Sequence, residues 1–485
     1  MTNNADFLIK DGSFINGTWH SEGKATFDVY NPADGSVVKS LIDASDADLD
    51  AAIAAANAAL PAWRAKTAEE RAIILRRWYE LLMEHQDALA LILTREQGKP
   101  LAEARGEVAY GASYVQWFAE EAKRVYGDTI PGPSADKRII VIKQPIGVVA
   151  TITPWNFPNS MLIRKVAPAL AAGCTVLSKP AKETPMSALA MAVLAEKAGV
   201  PAGAFNVVVG TRSRDFGKII CEDPRINKLS FTGSTGVGAT LMEQCAPTIK
   251  RTSMELGGNA PFIVFEDADI DAAIEGALTS KYRNAGQTCV CSNRFLVQSS
   301  IYDEFAEKLT QRVNKFTMGN GTQDGVTIGP LVNTQAAQAM EELVTGAVDA
   351  GAKLVTGGKR SDLGACFFEP TILTEVTMKM TVAADEIFGP IAPLIRFETE
   401  EEAIAIANDT VFGLASYMYT RDIGRIWRVS EALEYGMVGI NEGLISNAAA
   451  PFGGVKQSGT GREGSKYGIE DYLEIKYLCM GGLDK

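Results

Sequence analysis

Between residues 44 and about 124 the apolar positions recur with helical spacing, and Thr67 with Glu70 makes a capping box ahead of the periodic run 72–82. Helices are expected there. The pattern breaks at residues 126–144, where Gly127, Pro131, Gly132 and Pro133 precede the β-rich run 139–142, so a hairpin or arm is predicted. From 147 to 257, short β-rich runs at 148–153, 175–179, 205–209 and 228–231 alternate with helical stretches. That alternation predicts a parallel sheet with helices on both faces. A second alternating region runs from 260 to about 441, with strand-like 262–265 and 294–298 and helical 301–315 and 336–350. It predicts a second α/β domain. Residues 472–478 alternate with period two, as an exposed strand does, and are expected to pair with the 126–144 arm of the same or another subunit.

Composition narrows the class. A chain of 485 residues exceeds what one core usually organises, and 46% apolar with 22% charged residues is ordinary for a globular protein. Asp+Glu 59 against Lys+Arg 47 leaves a net charge of -12, which argues against a general nucleic-acid or anionic-membrane surface. Any anionic ligand then needs a local basic pocket. The first ten residues, MTNNADFLIK, lack the basic start and apolar run of a secretory signal, and no apolar stretch is long enough to span a bilayer, so a cytoplasmic location is expected. The seven cysteines are scattered, with no CxxC pair, and histidine is nearly absent. A disulfide framework and a metal site are both disfavoured.

The stretch Gly286, Gln287, Thr288, Cys289, Val290, Cys291, Ser292 follows an apolar helical run, 271–283, that ends in Asn284, Ala285 and Gly286. This places Cys289 on an irregular, accessible segment rather than on a core face. With only His20 and His85 in the chain, both far upstream, a reactive thiol here works without an imidazole unless one of them folds back. A carboxylate base is indicated, and Glu255 in Met254, Glu255, Leu256, Gly257, Gly258 is the candidate, since paired glycines admit close approach of backbone or ligand. The alternative for Cys289 is a small buried hydrophobe.

Four other motifs bear on ligands. Phe231, Thr232, Gly233, Ser234, Thr235, Gly236, Val237, Gly238 follows a predicted strand and opens a helix, where free N–H groups bind phosphate; Thr235 replaces the second glycine of the usual dinucleotide fingerprint, so a simple tight turn competes. Ser178, Lys179, Pro180, Ala181, Lys182 ends another strand at the same sheet edge, with two lysines to meet a phosphate or merely to be solvated. Asn156, in Thr153, Pro154, Trp155, Asn156, Phe157, Pro158, is a side-chain donor on a stiff backbone, or part of a plain turn. Glu386, Ile387, Phe388, Gly389, Pro390 has the form of a helix end and turn.

Taken in order, TPWNFP, KPA, FTGSTGVG, MELGGNAP, GQTCVCSNR, EIFGP and PFGGVKQSG resemble the NAD(P)-dependent aldehyde dehydrogenase superfamily over essentially the whole chain. Finer detail, Cys291 two after Cys289, NEGLIS and SGTGREGSKYGIEDYLEIKY, is similar to its succinate-semialdehyde branch. The resemblance implies a Rossmann-type cofactor domain (1–125 and 146–256), an α/β catalytic domain (257–456) and a β-hairpin oligomerisation arm (126–145 and 470–485) in a homotetramer. It implies Cys289 as nucleophile, Glu255 as general base, and Asn156 with the Cys289 N–H as oxyanion hole. Cofactor contacts are implied at Trp155, Lys179, Ala181, Gly233, Ser234, Gly238, Glu386 and Phe388.

Lys182 stands where NAD-preferring members carry a glutamate. A lysine cannot accept from ribose hydroxyls but attracts a 2′-phosphate, so NADP is expected over NAD. The same branch implies that Arg164, Arg283 and Ser446 hold the far carboxylate of a semialdehyde, succinate semialdehyde first and glutarate semialdehyde next; a non-catalytic protein on this scaffold is the remaining class. For each arginine, pairing with a nearby Asp or Glu is the alternative. Cys289 and Cys291, if extended, are separated by roughly 6.6–7.2 Å, at or beyond the reach of a relaxed disulfide, so a bond between them is expected to be strained and easily reduced; otherwise Cys291 simply packs.

Overall fold

Two capping boxes set the starts of the first helices. Ser45 and Asp48 exchange bonds ahead of α1 (Asp46–Ala65), and Thr67 and Glu70 do so ahead of α2 (Ala68–Glu84), as expected. The computed structural model describes residues 6–23 and 25–484, so the first half of MTNNADFLIK lies outside the described residues. Upstream, β1 (Phe14–Ile15) pairs with β2 (Thr18–Trp19) and β3 (Thr26–Tyr30) with β4 (Val37–Ile42), all antiparallel. These short strands escaped the pattern reading. Helices α3 (Gln86–Gln97) and α4 (Leu101–Glu121) complete the amino-terminal layer. Its buried indoles are satisfied across helices: Trp63 donates to Leu170 O and Trp78 to Met191 O, both at 3.2 Å.

The arm is β5 (Asp128–Pro131) and β6 (Arg138–Pro145). Then come β7 (Val148–Ile152), α5 (Pro158–Ala172), β8 (Thr175–Lys179), α6 (Pro185–Ala198), β9 (Phe205–Val207), α7 (Ser213–Glu222), β10 (Lys228–Thr232), α8 (Thr235–Cys245) and β11 (Arg251–Glu255). Every residue of α5 is buried, as its nearly unbroken apolar run requires, and Arg164 and Lys165 are buried with it. Strands β7, β8 and β9 step outward in one direction, after which the chain returns and adds β10 on the far side of β7. The loops leaving β7 and β10 therefore diverge and open a crevice at the carboxyl ends of the strands.

The second unit contains β12 (Ala260–Val264), α9 (Ile270–Tyr282), β13 (Ser292–Gln298), α10 (Tyr302–Val313), α11 (Thr334–Asp349), β14 (Lys353–Thr356), β15 (Thr371–Thr374), α12 (Thr381–Ala384), β16 (Ile391–Phe397), α13 (Glu400–Asn408), β17 (Ala415–Tyr419), α14 (Ile423–Ala432) and β18 (Met437–Ile440). Its sheet is parallel from β15 to β18, in the order β15, β16, β13, β12, β17, β18, with β14 antiparallel at one edge. The chain then returns to the first sheet, where β19 (Gly459–Thr460) pairs antiparallel with β11, and passes through α15 (Ser465–Gly468). Finally β20 (Leu473–Met480) lies antiparallel on β6 of its own chain, Leu473 opposite Pro145 and Met480 opposite Arg138. The arm thus pairs within one subunit. Among the described residues no helix is long and apolar enough to cross a membrane.

Candidate active site

A cavity of about 230 Å³ lies at the switch point between β7 and β10. The first unit supplies Trp155 and Asn156 from the loop after β7 and Gly233 and Ser234 from the loop after β10; the second supplies Cys289, Glu386 and Phe388. One sheet offers its carboxyl ends, whereas the other offers loops that enter the amino ends of β13 and β16. Trp155 and Phe388 meet edge-on, ring centroids 5.5 Å apart at 87°.

Local geometry explains why the nucleophile turn is irregular. Past α9, Asn284 (φ 54°) and Ala285 (φ 52°) take left-handed conformations. Asn156 Nδ2 donates to Gln287 O at 3.0 Å, and Cys291 N donates to Thr288 O at 3.0 Å, which puts Cys289 inside a tight turn. A Cβ on Gly258 would stand 2.5 Å from Cys289 O, and one on Gly257 would stand 2.6 Å from Glu386 Oε2. The paired glycines therefore make room for Cys289 and Glu386, not for the Glu255 carboxylate. Cys289 is half-buried, yet burial pushes its thiol up to about 12, with Glu386 and Glu255 adding to the rise and Arg164 and Arg283 opposing it. At neutral pH the sulfur rests as a thiol.

Behind Cys289 lies a cluster of buried charge. Glu255, the last residue of β11, has one oxygen, Oε2, without a hydrogen-bond partner. Burial and then the neighbouring Glu463 hold it well above the usual carboxylate range, against the pull of Arg164 and Lys165. Burial disfavours ionised Glu463 too, but Lys165 and Arg164 outweigh it and keep its carboxyl low. Glu463 accepts from Lys165 Nζ at 2.5 Å and pairs with Arg164 Nη2 at 2.7 Å, while the Arg164 guanidinium lies 3.8 Å from the Phe452 ring centroid. Lys165 and Glu463 were assigned no part in the sequence reading; the signal for Lys165 was a second charge inside an apolar run.

Several candidate residues have partners or positions that the sequence did not show. Arg164 already has a carboxylate in Glu463, the competing reading for that residue, though its Nε and Nη2 lack aligned acceptors. Arg283 lies 5.2 Å from the Phe157 ring centroid. Ser446 lines a neighbouring hollow with Tyr110 and Trp117 rather than the Cys289 cavity. Gly238 is buried where a Cβ would meet Leu256 Cδ2 at 2.4 Å, so it lets α8 pack on the strand end and does not line the cavity. Cys291 is buried with its Sγ donating to Lys281 O at 3.4 Å, and the turn at Thr288 removes the extended spacing assumed for a disulfide. Neither histidine approaches the thiol: His20 faces Asp48, 3.3 Å away, and His85 joins α2 to α3.

The crevice fits a dinucleotide. Two buried hydroxyls at the carboxyl ends of β7 and β10, Thr153 Oγ1 and Thr232 Oγ1, have no partner, and the Ser234 hydroxyl makes no capping bond to α8. Lys179 is buried at the end of β8 and donates to Ser213 Oγ at 2.6 Å; burial lowers its ammonium to about 8, with nearby Lys182 lowering it further against Glu183. Ser213, at the start of α7, was not foreseen. Ala181 lies half-buried in the loop between β8 and α6, and Lys182 is exposed beside a separate hollow that Tyr30 and Thr211 also line.

The profile of the Aldehyde dehydrogenase family matches residues 19–478. The chain is 60% identical over 483 residues to the NADP(+) succinate-semialdehyde dehydrogenase of Escherichia coli K12, covering 99% of this chain and 100% of that one. It is 60% identical over 477 residues to a glutarate-semialdehyde dehydrogenase of Pseudomonas aeruginosa (98% and 99%) and 59% identical over 479 to a 3-sulfolactaldehyde dehydrogenase of Pseudomonas putida (99% and 98%). The crystal structure of an E. coli NADP-dependent enzyme superposes with a TM-score of 0.97 at 60% identity over 99% of both chains.

Proposed function

The chain belongs to the aldehyde dehydrogenase family and uses NAD(P), and from that premise we propose that it oxidises succinate semialdehyde to succinate through a thioester on Cys289. The observation that carries this reading is the Cys289 thiol in the switch-point cavity beside Asn156, within electrostatic reach of both Arg164 and Arg283. Arg283, half-buried near the nucleophile, suits an aldehyde that carries an anion at its far end, with Arg164 shared with Glu463 behind it. The relatives named for succinate semialdehyde, glutarate semialdehyde and 3-sulfolactaldehyde all take such substrates. Glutarate semialdehyde is the second reading, because one methylene changes discrimination by only about 1–3 kcal/mol.

A nicotinamide dinucleotide would be held by Lys179, Ser234, Glu386 and Phe388 and, when bound, would supply the hydride acceptor. Cys289 loses its proton to solvent water and adds as the thiolate to the aldehyde carbon; Asn156 Nδ2 and the Cys289 N–H donate to the oxygen that becomes anionic, each worth about 3 kcal/mol in such sites. Once hydride has left, the acyl group remains on sulfur. Glu255 then takes a proton from the water that hydrolyses the thioester. Becoming neutral relieves its repulsion with Glu463, so the surroundings that raise its pKa also strengthen it as a base.

NADP preference is supported by the Lys179 and Lys182 pair and by the name of the E. coli relative. Assembly into a homotetramer through the arm is supported by Ile475 and Tyr477, exposed on β20. A steady-state panel of four- and five-carbon semialdehydes with matched plain aldehydes, against both cofactors, tests all but the last. Succinate semialdehyde should exceed butanal in kcat/KM by about 2–5 kcal/mol; parity would remove the anion clamp, and a clear preference for NAD would remove the role given to Lys182.

A further inference from the structure

Asn156 is held by a buried charge pair that takes no part in the chemistry above. Gly98 ends α3 in the left-handed region (φ 97°), and the Lys99 side chain that follows is completely buried. Its ammonium donates to Glu107 Oε2 at 2.5 Å and to the main-chain oxygen of Asn156 at 2.8 Å, and lies 3.8 Å from the Phe157 ring centroid. The other oxygen of Glu107 accepts from Asn159 N at 2.9 Å and Ser160 N at 3.2 Å, in the first turn of α5. Asn156 O also accepts from Asn284 Nδ2 at 2.9 Å, which ties the same peptide to the nucleophile turn. Buried ion pairs are poor sources of stability compared with well-packed apolar residues, so this one calls for another explanation.

Resting on the reading of Asn156 as an oxyanion donor, we propose that Lys99 is a positioning residue for that donor, fixing the Asn156 peptide through its carbonyl while Glu107 anchors the helix behind it. The Asn156 side chain is free to aim its second N–H at substrate only while its main chain is pinned. A displacement of even about 1 Å is costly to a reaction of this kind.

Single-turnover reduction of NADP with succinate semialdehyde, compared with the rate at which iodoacetamide alkylates Cys289, separates positioning from general damage. Alkylation displaces iodide from carbon and develops no oxyanion, so loss of a well-aimed donor leaves it untouched. Lys99→Met should slow hydride formation about tenfold or more, with alkylation changed less than about twofold, and Glu107→Gln, which preserves volume and the cap on α5, should show the same asymmetry at about threefold. Glu107→Gln carries the test alone if Lys99→Met does not fold. Equal slowing of both reactions, or unchanged hydride formation, overturns the proposal. Asn156→Ala serves as the reference: it should slow hydride formation about 10²–10³-fold and spare alkylation. Intact hydride formation in that variant overturns the oxyanion reading itself rather than the positioning of the donor.

Discussion

Asn156 and the residues that hold it, Gln287, Lys99 and Glu107, form a front wall with hydrogen-bond partners for all their polar side-chain atoms; in the cluster behind Cys289, Glu255 Oε2 and Arg164 Nε have none, and Arg164 Nη2 meets Glu463 Oε2 at 2.7 Å as an ion pair without hydrogen-bond alignment. Leaving such an atom unmet costs about 1–3 kcal/mol. A fold tolerates that where charge must move or a ligand must arrive, and bonds a donor fully where its aim must hold still. The front wall is therefore read as the part that stabilises the first, acyl-forming step, and the rear cluster as the part that moves protons.

Variants that separate the two regions sharpen this contrast. The largest effect is expected from the rear: Glu255→Gln should lower steady-state turnover by about 10²–10⁴-fold while leaving first-turnover hydride formation largely intact, measured by stopped-flow absorbance. A front-wall change should do the reverse. Asn156→Ala is expected to cost about 10²–10³-fold in the first turnover itself, with little change in dinucleotide binding measured by titration. Next, Arg283→Met should lower kcat/KM for succinate semialdehyde by about 2 kcal/mol or more yet leave butanal nearly unchanged, and equal losses on both would divorce this arginine from the anion. Lys182→Glu should shift the NADP to NAD ratio toward NAD by about tenfold, read from kcat/KM with each cofactor.

Glu255 and Lys179 should titrate in opposite senses. Glu255 is a base only when ionised, and its pKa is raised, so kcat falls as pH drops and rises as the carboxyl loses its proton. Lys179, lowered to about 8, loses its charge as pH climbs through that value, so KM for the dinucleotide should rise there. Lys179→Met should abolish that rise while keeping the acid limb of kcat.

The alternation that gave the two α/β units, the arm and the position of Cys289 was legible because each depends on local spacing or on a short motif. The partners of buried charge were not. Glu463 reaches Lys165 across 298 residues and Lys99 reaches Asn156 across 57, so no periodicity connects them. Arg164 could be seen to need an anion, but choosing between substrate and protein carboxylate required the fold, which supplied Glu463. The extended spacing assumed for Cys289 and Cys291 failed for a similar reason: the bond from Cys291 N to Thr288 O that closes the turn has no signature in residue type.

Intact-mass and peptide analysis of Glu255→Gln, quenched after mixing with NADP and succinate semialdehyde, tests the division between the regions most directly. The account predicts a succinyl group accumulating on the peptide that contains Cys289, because the front wall still forms the thioester and the rear no longer hydrolyses it. Absence of the adduct while nicotinamide is reduced, or its appearance on any other residue, would contradict it.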